Sequence, residues 1–247
     1  MDVQPVADRV YLISHAHVNC YVVEDDDGLL LVDAGLPSMR PPLVGLLAGL
    51  GKKVGDIRAL VLTHGHFDHV GFAFHAHREW GVPVLVHRGD KWLAAHPYRY
   101  RPRRNRLLYP LAHPRSLPLL GGMAAAGALA VKGVEDTRPL GTDEALPLPG
   151  RPIALHTPGH TDGHCILHLP ERGVVFSGDA LVTLDPYTGA TGPQIVADAA
   201  TGDPDTALAS LRVIAGTGEQ TLLPGHGSPW TDGARRAADL AMAIGEH

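Results

Sequence analysis

The amino-acid order predicts a mixed α/β fold of the α+β kind: a four-layer αββα sandwich in which two mixed β-sheets pack face to face, helices lie outside, and a helical lid is inserted. Three observations carry this expectation. Short apolar runs bounded by Gly, Pro or Asp recur in both halves of the chain, and in each half strands come first and a helix follows. The run at 57–63 is, Arg58 apart, a near-continuous apolar run instead of an alternating one, which suits a buried strand. Residues 88–140 break the order with several prolines, an arginine cluster and a small-residue stretch at 121–130, and read as the lid.

Taken in order, the chain begins with a meander of strands at 10–14, 19–24 and 29–32, the last two joined by the turn Asp25-Asp26-Asp27-Gly28. A helix is expected at 41–50, with Pro42 in its first turn, where no N–H is needed, and Gly51 past its end. The strand at 57–63, a helix at 70–80 and a strand at 83–87 lead into the lid. Strand patterning resumes at 153–156, 164–169 and 173–177. The helix at 204–215 is well marked: Asp203 can cap it, Pro204 suits its first position, and Leu208, Leu211, Ile214 and Ala215 share one face. A strand at 221–223 and a helix at 232–244 complete a single domain over 1–247.

Composition narrows the partners. With 247 residues, 45% of them hydrophobic, the chain can build one layered core. Lys and Arg (21) against Asp and Glu (26) leave a formal charge of -5, which attracts neither nucleic acid nor anionic lipid, so a small-molecule substrate is expected instead. Cys20 and Cys165 sit in apolar strands and read as buried free thiols, not as a disulfide framework. Residues 1–9 lack the basic start and apolar stretch of an export signal, and no apolar run approaches the roughly 20 residues that span a bilayer. A cytoplasmic chain is therefore expected. The unusual feature is sixteen histidines, several beside Gly, Thr, Pro or Asp.

Four of the chemically useful side chains leave one strand together, in Thr63-His64-Gly65-His66-Phe67-Asp68-His69. Imidazole nitrogens and carboxylate oxygens suit zinc and similar divalent ions. Alternation puts His64 and His66 on one side while Asp68 and His69 can turn toward a second position. Three later segments have the same setting at a strand end: Thr157-Pro158-Gly159-His160, Ser177-Gly178-Asp179 and Leu223-Pro224-Gly225-His226. In each, glycine permits the turn and lets the backbone come close. The candidate metal ligands are thus His64, His66, Asp68, His69, His160, Asp179 and His226.

Through HGHFDH, TPGH, SGDA and PGHG in that order, the chain resembles the metallo-β-lactamase fold superfamily from about residue 10 to 226. The resemblance implies that His64, His66 and His160 hold one metal, that Asp68, His69 and His226 hold a second, and that Asp179 bridges them. Zinc is the implied metal, with iron or manganese suited to the same donors. It also implies hydrolysis by a hydroxide bridging the two ions, which sit about 3.5 to 4 Å apart in such sites, lower the pKa of the shared water toward 7 and polarise the substrate. Asp68 would orient the hydroxide and handle a proton, or serve as a ligand only. Branches that open β-lactams typically carry Cys or Ser where this chain has Asp179. An Asp there is similar to the thioesterase, lactonase and phosphodiesterase branches, so the expected reaction cleaves a thioester or lactone of a small molecule. Phosphodiester hydrolysis and sulfur dioxygenation at a single iron are the alternatives, and the complete second ligand set argues against the latter. A non-catalytic sensor would have lost ligands.

TPGHTDG is very similar to glyoxalase II, yet little chain follows His226, so the C-terminal helical domain that helps bind the glutathione thioester there is expected to be missing. The lid would then shape the pocket. His164 is expected to hydrogen-bond near the ligands instead of ligating, and Asp33 to organise the ligand loops or form a turn. Arg99, Arg101, Arg103, Arg104 and Arg106 read as a solvated face of the lid, with anion binding as the other option. Substrate contact is the functional reading of Tyr187. His75, His77, His87, His96, His113, His156 and His168 lack the glycine context and read as ordinary surface or half-buried histidines.

Overall fold

A strand covered on both faces must be apolar at every position, and β4 (Gly28–Val32) and β5 (Ile57–Val61) largely are. The computed structural model describes residues 2–104 and 109–246, so Arg106 lies outside the described residues. Among these, one sheet holds seven strands in chain order: β1 (Asp2–Ala7), β2 (Val10–His15), β3 (Val18–Asp25), β4, β5, β6 (Val84–Val86) and β7 (Arg138–Pro139). Pairing is antiparallel up to β4 and parallel beyond it. A second sheet comprises β8 (Ile153–His156), β9 (Cys165–Leu169), β10 (Val174–Gly178) and β13 (Thr221–Pro224), in the order β13-β10-β9-β8. Only β10 and β13 pair in parallel within it.

The four layers follow from side-chain parity. On β3 and β4, Cys20, Val22, Leu29 and Leu31 face one cluster, with Leu43 and Leu47 of α1 (Arg40–Gly49) and Ala73 and Ala76 of α3 (Ala73–Trp80). Their neighbours Tyr21, Val23, Leu30 and Val32 face the opposite way, onto Cys165, Leu167, Phe176 and Leu223 of the second sheet. On the far side of that sheet, Ile166, Val175 and Leu222 meet Leu211 and Ile214 of α7 (Pro204–Thr217) and Ala237 and Ala241 of α8 (Ala234–Ile244). Helix, sheet, sheet and helix result, as expected. Asp203 caps α7, accepting from the Thr206 N–H at 3.1 Å. Phe176 lies fully buried between the sheets, its ring centre 5.1 Å from that of Tyr21. Phe176→Ala should cost about 3–5 kcal/mol and lower Tm by roughly 10 °C in a thermal melt; an unshifted melt would contradict this core.

Four departures have physical causes. β1 was not expected because its residues are mostly exposed, and an edge strand needs no apolar pattern. The helix expected at 70–80 is two helices, α2 (Phe67–Val70) and α3, broken at Gly71. Its φ of 36° is left-handed, and a Cβ there would sit 2.0 Å from the Gly35 carbonyl oxygen. The lid is helical, with α4 (Lys91–Ala95), α5 (Tyr109–Ala112) and α6 (Ser116–Met123), but its end is β7, paired with β6. The hairpin of β11 (Val182–Leu184) and β12 (Thr191–Gln194) went unread because Thr191-Gly192-Pro193 has no strand signature.

Candidate metal centre

Strands β8, β10 and β13 run in one direction, as do β4 and β5, so each group brings its C-terminal ends to one edge. The segments after these ends carry the candidate ligands. His64 and His66 follow β5, Asp68 and His69 occupy the short helix α2, and His160, Asp179 and His226 follow β8, β10 and β13. All seven side chains are buried and meet at this edge. They form three overlapping trios whose donor atoms lie within 4.8 Å of one another: His64 with His66 and His160, His64 with His69 and Asp179, and Asp68 with His69 and His226. Asp179 is central, its carboxylate 3.3 Å from His69 Nε2, 3.3 Å from His226 Nε2, 3.5 Å from His160 Nε2 and 4.0 Å from His64 Nε2.

Hydrogen bonds behind the rings set their tautomers and aim their lone pairs inward. His69 Nδ1 donates to Asp33 at 2.8 Å, and His226 Nδ1 to the His17 carbonyl at 2.8 Å. Thr201 gives its own proton to the Val196 carbonyl at 2.6 Å, so its Oγ1 accepts from His160 Nδ1 at 3.2 Å. Thr63 likewise donates to Asp33 at 2.9 Å and accepts from His64 Nδ1 at 3.1 Å. His69, His226, His160 and His64 therefore turn Nε2 toward the centre. There His160 Nε2 and His66 Nδ1 stand 3.0 Å apart, a separation that lone pairs tolerate around a shared positive charge.

The electrostatics point the same way. Burial first, then neighbouring histidines, push His64 and His66 well below the ordinary imidazole range, and burial pushes His160 down to about 4. Burial opposes charge on His69 and His226 too, but the carboxylates win: Asp179 and Asp33 hold His69 well above its usual value, and Asp179 and Asp68 raise His226 to about 10. Asp33, Asp68 and Asp179 together thus demand positive charge at this edge. Buried His64 Nε2, His66 Nε2, His69 Nε2 and Asp179 Oδ1 have no hydrogen-bond partner among the described residues, and orphaned buried donors and acceptors are costly. A set of imidazoles and carboxylates with no thiolate fits divalent cations such as zinc, iron or manganese.

Asp33 does both things the sequence left open. Its φ of 61° makes the turn after β4, while its carboxylate accepts from Thr63 N at 2.8 Å as well as from Thr63 Oγ1 and His69. His164 lies outside the trios: Nδ1 donates to Thr157 Oγ1 at 2.9 Å, and Nε2 accepts from Asp179 N at 3.0 Å and Ala180 N at 3.2 Å, fixing the backbone that presents Asp179. Gly225 is required by close approach, since a Cβ would meet Asp179 Oδ1 at 2.2 Å. Sequence reasoning missed Thr201, the His17 carbonyl and, above all, Asp90. Asp90 is buried behind the loops and accepts from Gly65 N (2.8 Å), Thr161 Oγ1 (2.7 Å) and Gly163 N (2.7 Å). It ties the His64–His66 loop to the His160 loop. Its one signal was a carboxylate in Arg88-Gly89-Asp90 just past the strand at 83–87.

The lid crosses the centre at Tyr100, whose ring centre is 4.2 Å from that of His66 and whose hydroxyl is 3.0 Å from that of Tyr187. The arginine cluster divides. Arg103 pairs with Glu246, and Arg104 with Asp198 at 3.1 Å, whereas Arg99 and Arg101 line a cavity of about 410 Å³ against His160. The histidines read as ordinary make other contacts: His75 with Glu79, His168 with Glu219, His77 with the Val82 carbonyl, and His87, His96 and His113 stacked on His156, Trp92 and Tyr109.

The model of the metallo-beta-lactamase superfamily matches residues 15–226. A probable metallo-hydrolase of Bacillus subtilis, YflN, is 29% identical over 86% of this chain and 81% of its own length. The hydroxyacylglutathione hydrolase GloC of Haemophilus influenzae is 27% identical over 90% of this chain and 91% of its own. Among solved structures, TTHA1623 in a di-iron-bound form is 28% identical, covers 93% of this chain and 94% of its own, and superposes with a TM-score of 0.60.

Proposed function

Since this chain belongs to the metallo-beta-lactamase superfamily and is a metallo-hydrolase of that fold, we propose that it cleaves an ester-like bond, a thioester or a lactone, in a small molecule. The observation that carries the reading is the set of overlapping trios around Asp179, with a carboxylate at the central place. Similarity to a hydroxyacylglutathione hydrolase supports a thioester. In this reading His64, His66 and His160 hold one ion, Asp68, His69 and His226 the other, and Asp179 serves both. Bound there, two divalent ions supply Lewis acidity for the scissile carbonyl and make water acidic enough to attack at neutral pH.

The chain's own residues do the rest. Asp68, its carboxylate 3.3 Å from His226 Nε2, orients the attacking water and carries its proton to the leaving group. Asp33, Thr63, Thr201 and the His17 carbonyl keep the rings aimed. Tyr100 shields His66 from bulk water, and Tyr187, bonded to it, contacts the substrate. Zinc is the proposed metal, and iron its rival because a similar protein holds two irons. The net charge of -5 argues against nucleic acid and anionic lipid as partners, and among the described residues no helix is long and apolar enough to cross a membrane. The buried free thiols Cys20 and Cys165 suit the cytoplasm.

The test is an activity screen over thioesters, lactones and phosphodiesters with metal content measured on the same samples. Turnover of thioesters or lactones at two metals per chain is expected. His66→Ala should lower it by more than about 100-fold, beyond what loss of a ligand-supporting partner costs. Turnover confined to phosphodiesters, or full turnover in His66→Ala, would overturn the reading.

A further inference from the structure

We propose that the cavity beside the metal centre is an anion subsite, in which Arg99 and Arg101 receive a carboxylate or phosphate carried by the substrate while Trp92 covers its apolar part. The proposal rests on the ester-cleaving reading and names its substrate class: an anionic thioester or ester. The cavity, about 410 Å³, is walled by Trp92, Arg99, Tyr100, Arg101, His160 and Asp162 among others, and its size suits a small-molecule site. It shares His160 with the metal trios, and Tyr100 separates it from His66. A substrate lying in it therefore reaches the centre from one end.

Charge singles out the two arginines. Arg103 and Arg104 of the same cluster are neutralised by Glu246 and Asp198, whereas neither Arg99 nor Arg101 has a carboxylate partner among the described residues. Two acids face the same cavity. The Asp90 carboxylate is already saturated by Gly65 N, Thr161 Oγ1 and Gly163 N, and Asp162 is exposed to solvent. Arg99 and Arg101 are themselves exposed, so what sets them apart is two guanidinium groups on one cavity wall without a carboxylate partner among the described residues. Guanidinium groups bind carboxylate and phosphate through paired charge-assisted hydrogen bonds. Trp92 adds a flat apolar wall: it is 57% exposed yet held by stacking on His96 at 4.9 Å.

The test pairs binding with kinetics on the metal-loaded chain. Benzoate and benzamide are titrated calorimetrically, and cleavage is compared for the S-phenyl thioester of succinic acid and that of its monomethyl ester, which lacks the free carboxylate. Wild type is expected to bind benzoate at least about tenfold more tightly than benzamide and to prefer the free acid in kcat/KM, both preferences weakening as salt rises. In Arg99→Ala/Arg101→Ala both should shrink by about tenfold or more, and Arg99→Lys/Arg101→Lys should restore them in part. An undiminished preference in the alanine variant means the carboxylate is read elsewhere, and overturns the proposal, as does absence of preference in wild type. The two readings fail separately. Charge-selective binding that the alanine variant loses, with no thioester or lactone cleaved, keeps the subsite and removes the ester reading; cleavage blind to charge does the reverse.

Discussion

Asp179→Asn will leave a folded chain that has lost most of its metal and more than about 10³-fold of its turnover, a larger loss than removal of a supporting partner brings. Asparagine has nearly the shape of aspartate, so packing is preserved. What disappears is the buried carboxylate that faces four imidazole nitrogens within 4.0 Å. Burial alone would push that carboxyl up, yet His226 and His69 hold it well below the usual range. The centre is therefore organised around a negative charge at this position. An amide instead presents N–H donors toward nitrogens that need their lone pairs for a cation, and the trio of His64, His69 and Asp179 loses its only carboxylate. Metal content per chain, measured beside turnover and a thermal melt of the metal-free variant, checks the expectation. Two bound ions and full turnover in Asp179→Asn would remove Asp179 from its central role.

The cluster of candidate ligands around Asp179 was legible in the sequence. Each is a metal-donor residue type, five of the seven sit beside glycine while Asp68 and His69 follow in the same short loop, and each group comes after an apolar run that reads as a buried strand. The four layers were legible because strands precede a helix in each half of the chain; which side chains of β3 and β4 face which cluster is seen only in the structure. What the sequence hid acts at a distance or through the backbone. The His17 carbonyl orients His226 across more than two hundred residues, and any amino acid could supply it. Thr201 reaches His160 from a loop with no signature of its own. The arginine cluster looked uniform because its neutralising partners, Asp198 and Glu246, lie far along the chain. The edge strand β1 and the break at Gly71 were hidden similarly, one because exposure removes the pattern, the other because the carbonyl that Gly71 must approach belongs to Gly35.

Asp90 is the largest of these hidden contributions, and its substitution separates positioning from mere stability. Asp90→Ala would strand the N–H groups of Gly65 and Gly163 and the Thr161 hydroxyl. At about 1–3 kcal/mol for each buried unpaired group, the fold should be strongly destabilised. Asp90→Asn is the more informative change. Its single carbonyl oxygen can keep part of the network, but its amide faces donors, so one of the two loops must shift. Those loops carry His64, His66 and His160, while His69 and His226 of the other trio are held by Asp33 and the His17 carbonyl instead. Metal affinity should therefore fall about 10–100-fold at the first trio and stay near wild type at the second, read as one weakened and one retained site in a chelator competition well below Tm. If Asp90→Asn lowers Tm but keeps both affinities and turnover, Asp90 braces the fold without positioning the ligands.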